Sequence, residues 1–362
     1  MKERGVELDA TSSAWMVRSL PDRISSIHIL EESIIAGDWS GGLSRWSLEG
    51  ETIWESSGPN RVSSIDVCKE YLVTSMGVDL LLFSLNDGTE LWRQELEGSA
   101  DEAAILFGDG VHAISSVFDI EHGDFMESAY WHFSIDGELQ TVHRFSERPW
   151  FFDVSEDRIL MGLGRPRCGM FCVKDEELEW TELIEDDPVS CGIGLQDRIV
   201  MGHSNGGLST VSSAEVSTLT NLDMSLDDLV SIHSGLVLLS ESDLHHRTNE
   251  GELDSWKEAS GTQEITSSFA LNDEPSAAWA IIDSSLCTFS NKGEKLVSLT
   301  FPSNPCSLSG NEKILVVGLE NGDVYVFQRE LLLRRLEKGD SDQTEGPDSR
   351  RVSLMEKLRK LR

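Results

Sequence analysis

Nowhere does this chain of 362 residues approach the roughly 18 consecutive apolar residues that a membrane-spanning helix needs. Its opening stretch, MKERGVELDATSSAW, has no apolar core of the kind a signal peptide carries. There is no Asn-x-Ser/Thr sequon, and the six cysteines, at 68, 168, 172, 191, 287 and 306, form no dense framework. These absences together point to a cytoplasmic protein with reduced core thiols. Basic charge is scarce as well: 30 Lys and Arg stand against 64 Asp and Glu, a formal net charge of −34. A body this acidic repels phosphate backbones, which argues against nucleic-acid binding except at a local basic segment. Catalytic signatures are also missing. The chain has no G-x-x-x-x-G-K-[ST] loop, no G-x-S-x-G elbow and no H-E-x-x-H pair.

What is present is a repeat. IIAGDWSGGLSRWS (34–47), IVMGHSNGGLSTVSS (199–213) and ILVVGLENGDVYVFQ (314–328) share one pattern, with Gly37, Gly202 and Gly318 aligned and Gly41, Gly206 and Gly322 aligned. Each copy is an apolar strand, a glycine turn and an alternating strand, which is the mark of a β-hairpin. Weaker copies begin near residues 71, 111, 158, 236 and 277, making eight. A further strand follows each hairpin, often spaced as G-x-x-x-W (Gly50 to Trp54, Gly88 to Trp92). A short strand rich in small residues precedes it, as in ISSIHI (24–29) and VSSIDV (62–67). Four strands per period of about 40 residues predict a β-propeller, in which stacked units bury faces that no unit could bury alone.

The expected fold is therefore all-β: an eight-bladed propeller over residues 1–330, with seven blades as the alternative because the unit near 277 has a poor glycine pattern. The last unit lacks a fourth strand and runs instead into ELLLRRLEKG. The strand SSAWMVRSL (12–20), whose Trp15 resembles the fourth-strand tryptophans, is predicted to complete that blade. A short helix is expected over 331–339, a flexible acidic linker over 340–349, and a basic amphipathic helix over 350–362.

The order of elements, with G-x-x-x-W closing the repeats, resembles the pyrroloquinoline-quinone-type (quinoprotein-like) propeller repeat over roughly residues 12–330. At the level of the ring it is similar to the WD-repeat propellers, though repeated Trp-Asp strand ends are absent. The resemblance implies a quinone and calcium, with a disulfide between adjacent cysteines, for the family's enzymes. No Cys-Cys pair exists here. The resemblance then implies a scaffold-type propeller without a cofactor.

Among single residues, Cys168 and Cys172 are spaced as two core thiols on one strand face. His245 and His246 fall on neighbouring positions of a strand and point to opposite faces. The acidic groups Glu185-Asp186-Asp187 and Asp227-Asp228 read as solvated loops. The insertion VFDIEHGDFMES (117–128) departs most from the repeat, setting Phe118, Ile120, Phe125 and Met126 among four carboxylates. Such a loop can build a binding surface; Phe118 and Phe125 are its candidate partner contacts.

The end, RRVSLMEKLRKLR, reverses the charge of the body. Arg350, Arg351, Lys357, Arg359, Lys360 and Arg362 form a basic face, while Val352, Met355, Leu358 and Leu361 recur every three residues as an apolar stripe. Three uses fit: docking into a partner's groove, anchoring to an anionic membrane or nucleic acid, and folding back on the acidic body. The function this suggests is a non-enzymatic cytoplasmic scaffold for protein partners. The alternative is a small-ligand or enzymatic site in the axial channel.

Overall fold

The computed structural model describes residues 5–344 apart from 120, 122, 157, 184, 185 and 213–215. The whole of 350–362, together with Ile120 and Glu185, lies outside the described residues. The chain forms eight antiparallel sheets, or blades, of four strands each, one of them with a fifth strand added. Blade 1 spans 24–57, blade 2 62–95, blade 3 99–145, blade 4 149–181, blade 5 189–221, blade 6 228–256, blade 7 262–300 and blade 8 305–328. The first strand of every blade touches the first strand of the next, and that of blade 8 touches that of blade 1. The ring is closed. It has eight sectors, and the sector near 277 is fully formed.

Closure uses the chain start, as the missing strand predicted. Met16–Ser19 pairs antiparallel with Asp323–Gln328, Met16 opposite Val326 and Ser19 opposite Asp323. A second N-terminal strand, Val6–Asp9, was not foreseen. It lies parallel to Lys295–Thr300 and adds a fifth strand to blade 7. Between the two sits a single helical turn, α1 (Ala10–Ser13), capped by the Asp9 carboxylate accepting from the Ser12 N–H. The chain start thus clasps two neighbouring blades.

The repeated glycines have a packing reason. A Cβ on Gly37 would sit 2.5 Å from the Val62 side chain of the next blade, and one on Gly318 2.4 Å from Ile24 across the closing seam. Glycine in the second strand makes room for the branched residue that opens the following inner strand. The tryptophans do the complementary work at the rim. Trp54 donates its indole N–H to Leu85 O of blade 2 at 2.7 Å and covers Gly88. Trp92 donates to Ile135 O at 2.9 Å and covers Gly137. Trp15 does the same across the seam, donating to Leu48 O of blade 1 at 2.6 Å. Trp180 departs from the rule and donates within its own blade to Cys168 O.

After blade 8 the chain turns into helix α2, Arg329–Thr344, whose Leu332 is fully buried against the seam of blades 7 and 8. The helix starts two residues before the expected 331 and runs on through 340–344, half of the stretch read as a flexible linker. No proline falls within it. Among the described residues no helix is long and apolar enough to cross a membrane.

Candidate functional site

In seven of the eight blades the inner strand carries a one-residue bulge just after its start, with Ser25, Ser63, Asp101 and Trp150 among the extra residues. A bulge breaks the alternation of a strand and re-aims one side chain. Here it turns small residues towards the next blade: Ser25 Oγ donates to Val62 O at 2.7 Å and Ser190 Oγ to Leu226 O at 2.5 Å. It also aims Asp101 into an axial cavity of about 620 Å³, lined by residues of blades 2 to 6.

That cavity is polar and acidic at its walls. Asp101, Glu102, Asp227 and Asp228 line it with Arg61 and Arg148. Glu102 keeps an exposed side chain at the cavity mouth, yet protein crowded around its carboxyl, with the Asp101 charge beside it, pushes that carboxyl up to about 7. Burial lifts Asp228 to about 6 and Glu264, on the inner strand of blade 7, to about 7. The reading of Asp227-Asp228 as a solvated loop holds for Asp227, which is exposed ahead of the strand, and is corrected for Asp228. Asp228 opens the first strand of blade 6, Asp228–Ile232, and faces the channel, because that strand begins one residue earlier than the acidic doublet suggests.

These shifts give a sign for pH dependence. Between 4.5, the ordinary value, and about 7 the folded chain holds on Glu102 a proton that the unfolded chain has released. Stability therefore falls as pH rises through that window and the loss is complete above about 7. Glu102→Gln should raise stability at pH ~8 by about 1 kcal/mol, a value discounted because water reaches the carboxyl through the mouth, and change little at pH ~4.5. Thermal melts at the two pH values check this; equal shifts at both would refute it.

Around the same mouth stand stacked arginines and aromatics. Arg148 lies 3.9 Å over the Trp150 ring and 4.9 Å from Phe118. Phe118 meets Phe125 edge-to-face at 5.9 Å. The insertion between them is an extended hairpin, strands Gly110–Asp119 and Asp124–Phe133 paired out to Asp119 opposite Asp124. Trp39 is flanked by Arg61 at 4.3 Å and Arg23 at 5.3 Å. Its turn is locked by buried Asp38, whose carboxylate accepts from the N–H groups of Ser40 and Gly42 at 2.9 and 2.7 Å. Trp150 and Trp39 remain 50% and 44% exposed, large aromatic faces held open to water.

At the opposite end of blade 3, Asp109, His112 and His132 converge, their ligating atoms all within 4.8 Å of one another. His112 Nδ1 lies 2.8 Å from the Tyr130 hydroxyl. Burial, with His132 beside it, lowers the His112 imidazole to about 4, so it is neutral at neutral pH.

Of the residues singled out from sequence, the structure brings Phe118 and Phe125 together and joins to them Arg148 and Trp150, which no spacing signalled. Cys168 precedes its strand, Gly169–Lys174, while Cys172 lies within it, and all six cysteines are free. His245 and His246 take separate serine partners, Ser255 at 2.9 Å and Ser234 at 3.1 Å.

No protein-family model matches the chain, and no curated protein matches it. Solved structures do. BamB from Moraxella catarrhalis is 14% identical with a TM-score of 0.69, covering 87% of this chain and 97% of that one. Sqt1 of Saccharomyces cerevisiae is 11% identical with a TM-score of 0.66, covering 87% and 98%. The computationally designed protein Ika8 is 14% identical with a TM-score of 0.63, covering 86% and 98%. What is shared is the fold. BamB is a quinoprotein-like propeller and Sqt1 a WD-repeat protein, so the two kinds of ring that the repeat resembles both appear among its neighbours.

Proposed function

We propose that this protein is a non-enzymatic scaffold in a cytoplasmic complex, binding a protein partner on the face where Phe118, Arg148 and Trp150 meet. The observation that carries this reading is the stack itself. Arg148 is held between two aromatic rings, with Trp150 half exposed, at the mouth of a ring whose overall charge is strongly negative. Trp and Arg are the residues on which binding energy concentrates, and rings already ordered by stacking lose little freedom when covered. BamB and Sqt1 share the ring fold, an architecture that offers broad faces for such contacts. The basic segment 350–362 is assigned a second docking contact, for the apolar stripe and charge described above.

Affinity purification from the native cell tests this. Trp150→Ala and Arg148→Ala, both at exposed or cavity-lining positions, should fold normally and recover at least tenfold less of the partner that the intact chain recovers. Unchanged recovery would refute the face. A chain ending at 344 should lose partner more weakly. RNA or lipid recovered only with the full chain would assign the segment to tethering instead.

A second reading, a cationic small ligand in the axial cavity, is favoured by the raised carboxyls of Glu102 and Asp228, which line it. A cation entering there would return them towards their usual range, so binding would release protons at neutral pH, and Glu102→Gln would release fewer.

A further inference from the structure

The cluster at the far end of blade 3 has no part in the scaffold face. His112 and His132 lie directly opposite each other on paired strands, their rings stacked with centroids 4.6 Å apart. They are only 1% and 8% exposed. Both Nε2 atoms are buried without a hydrogen-bond partner. Both face a single oxygen, Asp109 Oδ2, at 3.1 Å and 3.8 Å. Two buried imidazole nitrogens turned onto one carboxylate oxygen, the nearer at 3.1 Å and the other beyond hydrogen-bond reach, is a costly arrangement for a core to keep without a ligand. The strand between this cluster and Phe118 is six residues long, about 20 Å, so the two sites are separate.

We propose that Asp109, His112 and His132 form a binding site for a divalent transition-metal ion of zinc's class. Three observations support the assignment. Metal bonds of about 2.0–2.1 Å in a tetrahedron place ligand atoms about 3.3 Å apart, and the two measured separations bracket that value. All three ligand atoms lie within 4.8 Å of one another, and one of the three groups is an exposed carboxylate free to adjust. The outer contact that ligating histidines require is present: with His112 Nδ1–H donating to the Tyr130 oxygen, the Nε2 lone pair is left to the ion. Space is reserved too. Gly110 has a positive φ, and a Cβ there would strike Phe133 O and lie 3.1 Å from His132 Nε2. Two imidazoles and one carboxylate select zinc, cobalt or iron over magnesium and calcium, which take oxygen ligands. Asp109 sits at the surface, so the ion has a path in from solvent and one side left open to it.

The test uses the untagged full-length chain, stripped with a chelator and titrated with zinc in competition with a chromophoric chelator, and separately with cobalt(II) followed by its visible absorption. One equivalent should bind, with a nitrogen- and oxygen-type cobalt spectrum and no competition from excess magnesium. Asp109→Asn and His132→Gln should each weaken zinc at least tenfold. Zinc should raise the Tm of the wild type and not of either variant. Asp109 is exposed, so Asp109→Asn keeps the comparison valid if His132→Gln does not fold. Wild-type binding that survives Asp109→Asn undiminished would show that this carboxylate holds no ion, and a thiolate-type cobalt spectrum would place the ion on cysteines; either overturns the proposal. So would the absence of binding, which would leave the cluster as a carboxylate-bridged histidine pair.

Discussion

Deleting residues 1–20 is expected to yield a chain that does not hold a closed ring. Among the described residues the segment supplies the only partner of Asp323–Gln328 on that side, four register pairs in all. It buries Ala10, Met16 and Leu20 in the seams on either side of blade 8. It also hooks blade 1, through the Trp15 indole on Leu48 O and the Arg18 guanidinium on Gly50 O. At about 1.5–3 kcal/mol for each large side chain removed from water, the loss of Met16 and Leu20 with the ladder comes to about 5 kcal/mol or more. That is comparable with the whole stability of an ordinary domain. The exposed edge would present Val324, Tyr325, Val326 and Phe327 on a strand without a neighbour, a template for aggregation. Size-exclusion chromatography and a thermal melt decide the matter. A monomer with unchanged Tm would show that seven complete blades suffice. Trp15→Ala alone should cost far less, on the order of 1–2 kcal/mol, because the strand and its buried side chains remain.

Substituting Gly318 by valine should damage the same seam from the other side. Gly318 is hydrogen-bonded between Ser307 and Val324 in the middle of its sheet, so its backbone has no room to retreat. The first added carbon already lies 2.4 Å from Ile24 Cγ2 and 2.6 Å from Ile24 Cβ, and Ile24 is fully buried. Overpacking of this kind costs roughly 1–3 kcal/mol and occasionally more, and a β-branched side chain against a β-branched neighbour belongs at the upper end. A fall in Tm on the order of 3–5 °C would follow in a ring of this size. The pair Gly318→Ala and Ile24→Ala makes a double-mutant cycle: truncating Ile24 should recover part of the loss from Gly318→Ala. Strict additivity would mean that the contact across the seam is not what the glycine serves.

The ring was legible because its repeats are short-range. Gly37, Gly202 and Gly318 sit at one position of a hairpin; Gly37 and Gly318 are fixed by the residue that opens the next blade, and Gly202 by Cys191 of its own blade and by Leu226 just before the next, so sequence periodicity and packing report the same crowded place. Even the closure could be read, since a blade short of one strand and an N-terminal strand with Trp15 imply each other. The strand Val6–Asp9 left no comparable trace: four residues, VELD, pair in parallel with a segment almost 300 positions away and carry no turn to mark them. The candidate site was half visible. Phe118 and Phe125 meet because a hairpin joins them, whereas Arg148 belongs to the next blade and reaches Phe118 only through the geometry of the ring. His112 and His132 were hidden for a related reason. Their pairing depends on the register of a hairpin with an irregularity between Val117 and Phe118, and one residue of slip would set them on opposite faces.

The clasp made by the first twenty residues has a temporal side. Ser19 emerges from the ribosome 304 positions before Asp323, the residue that its side chain finally touches. During that interval the nascent chain carries an apolar strand with no mate, and each finished sector presents a flank that only the next one covers. Loop closure over such a span is slow, and native topology dominated by distant pairings folds on the slow end of the scale. Assembly of the wheel is therefore expected to be sequential up to the last sector and to become cooperative only when the two distant strands meet, so that the strand made before every blade becomes native last.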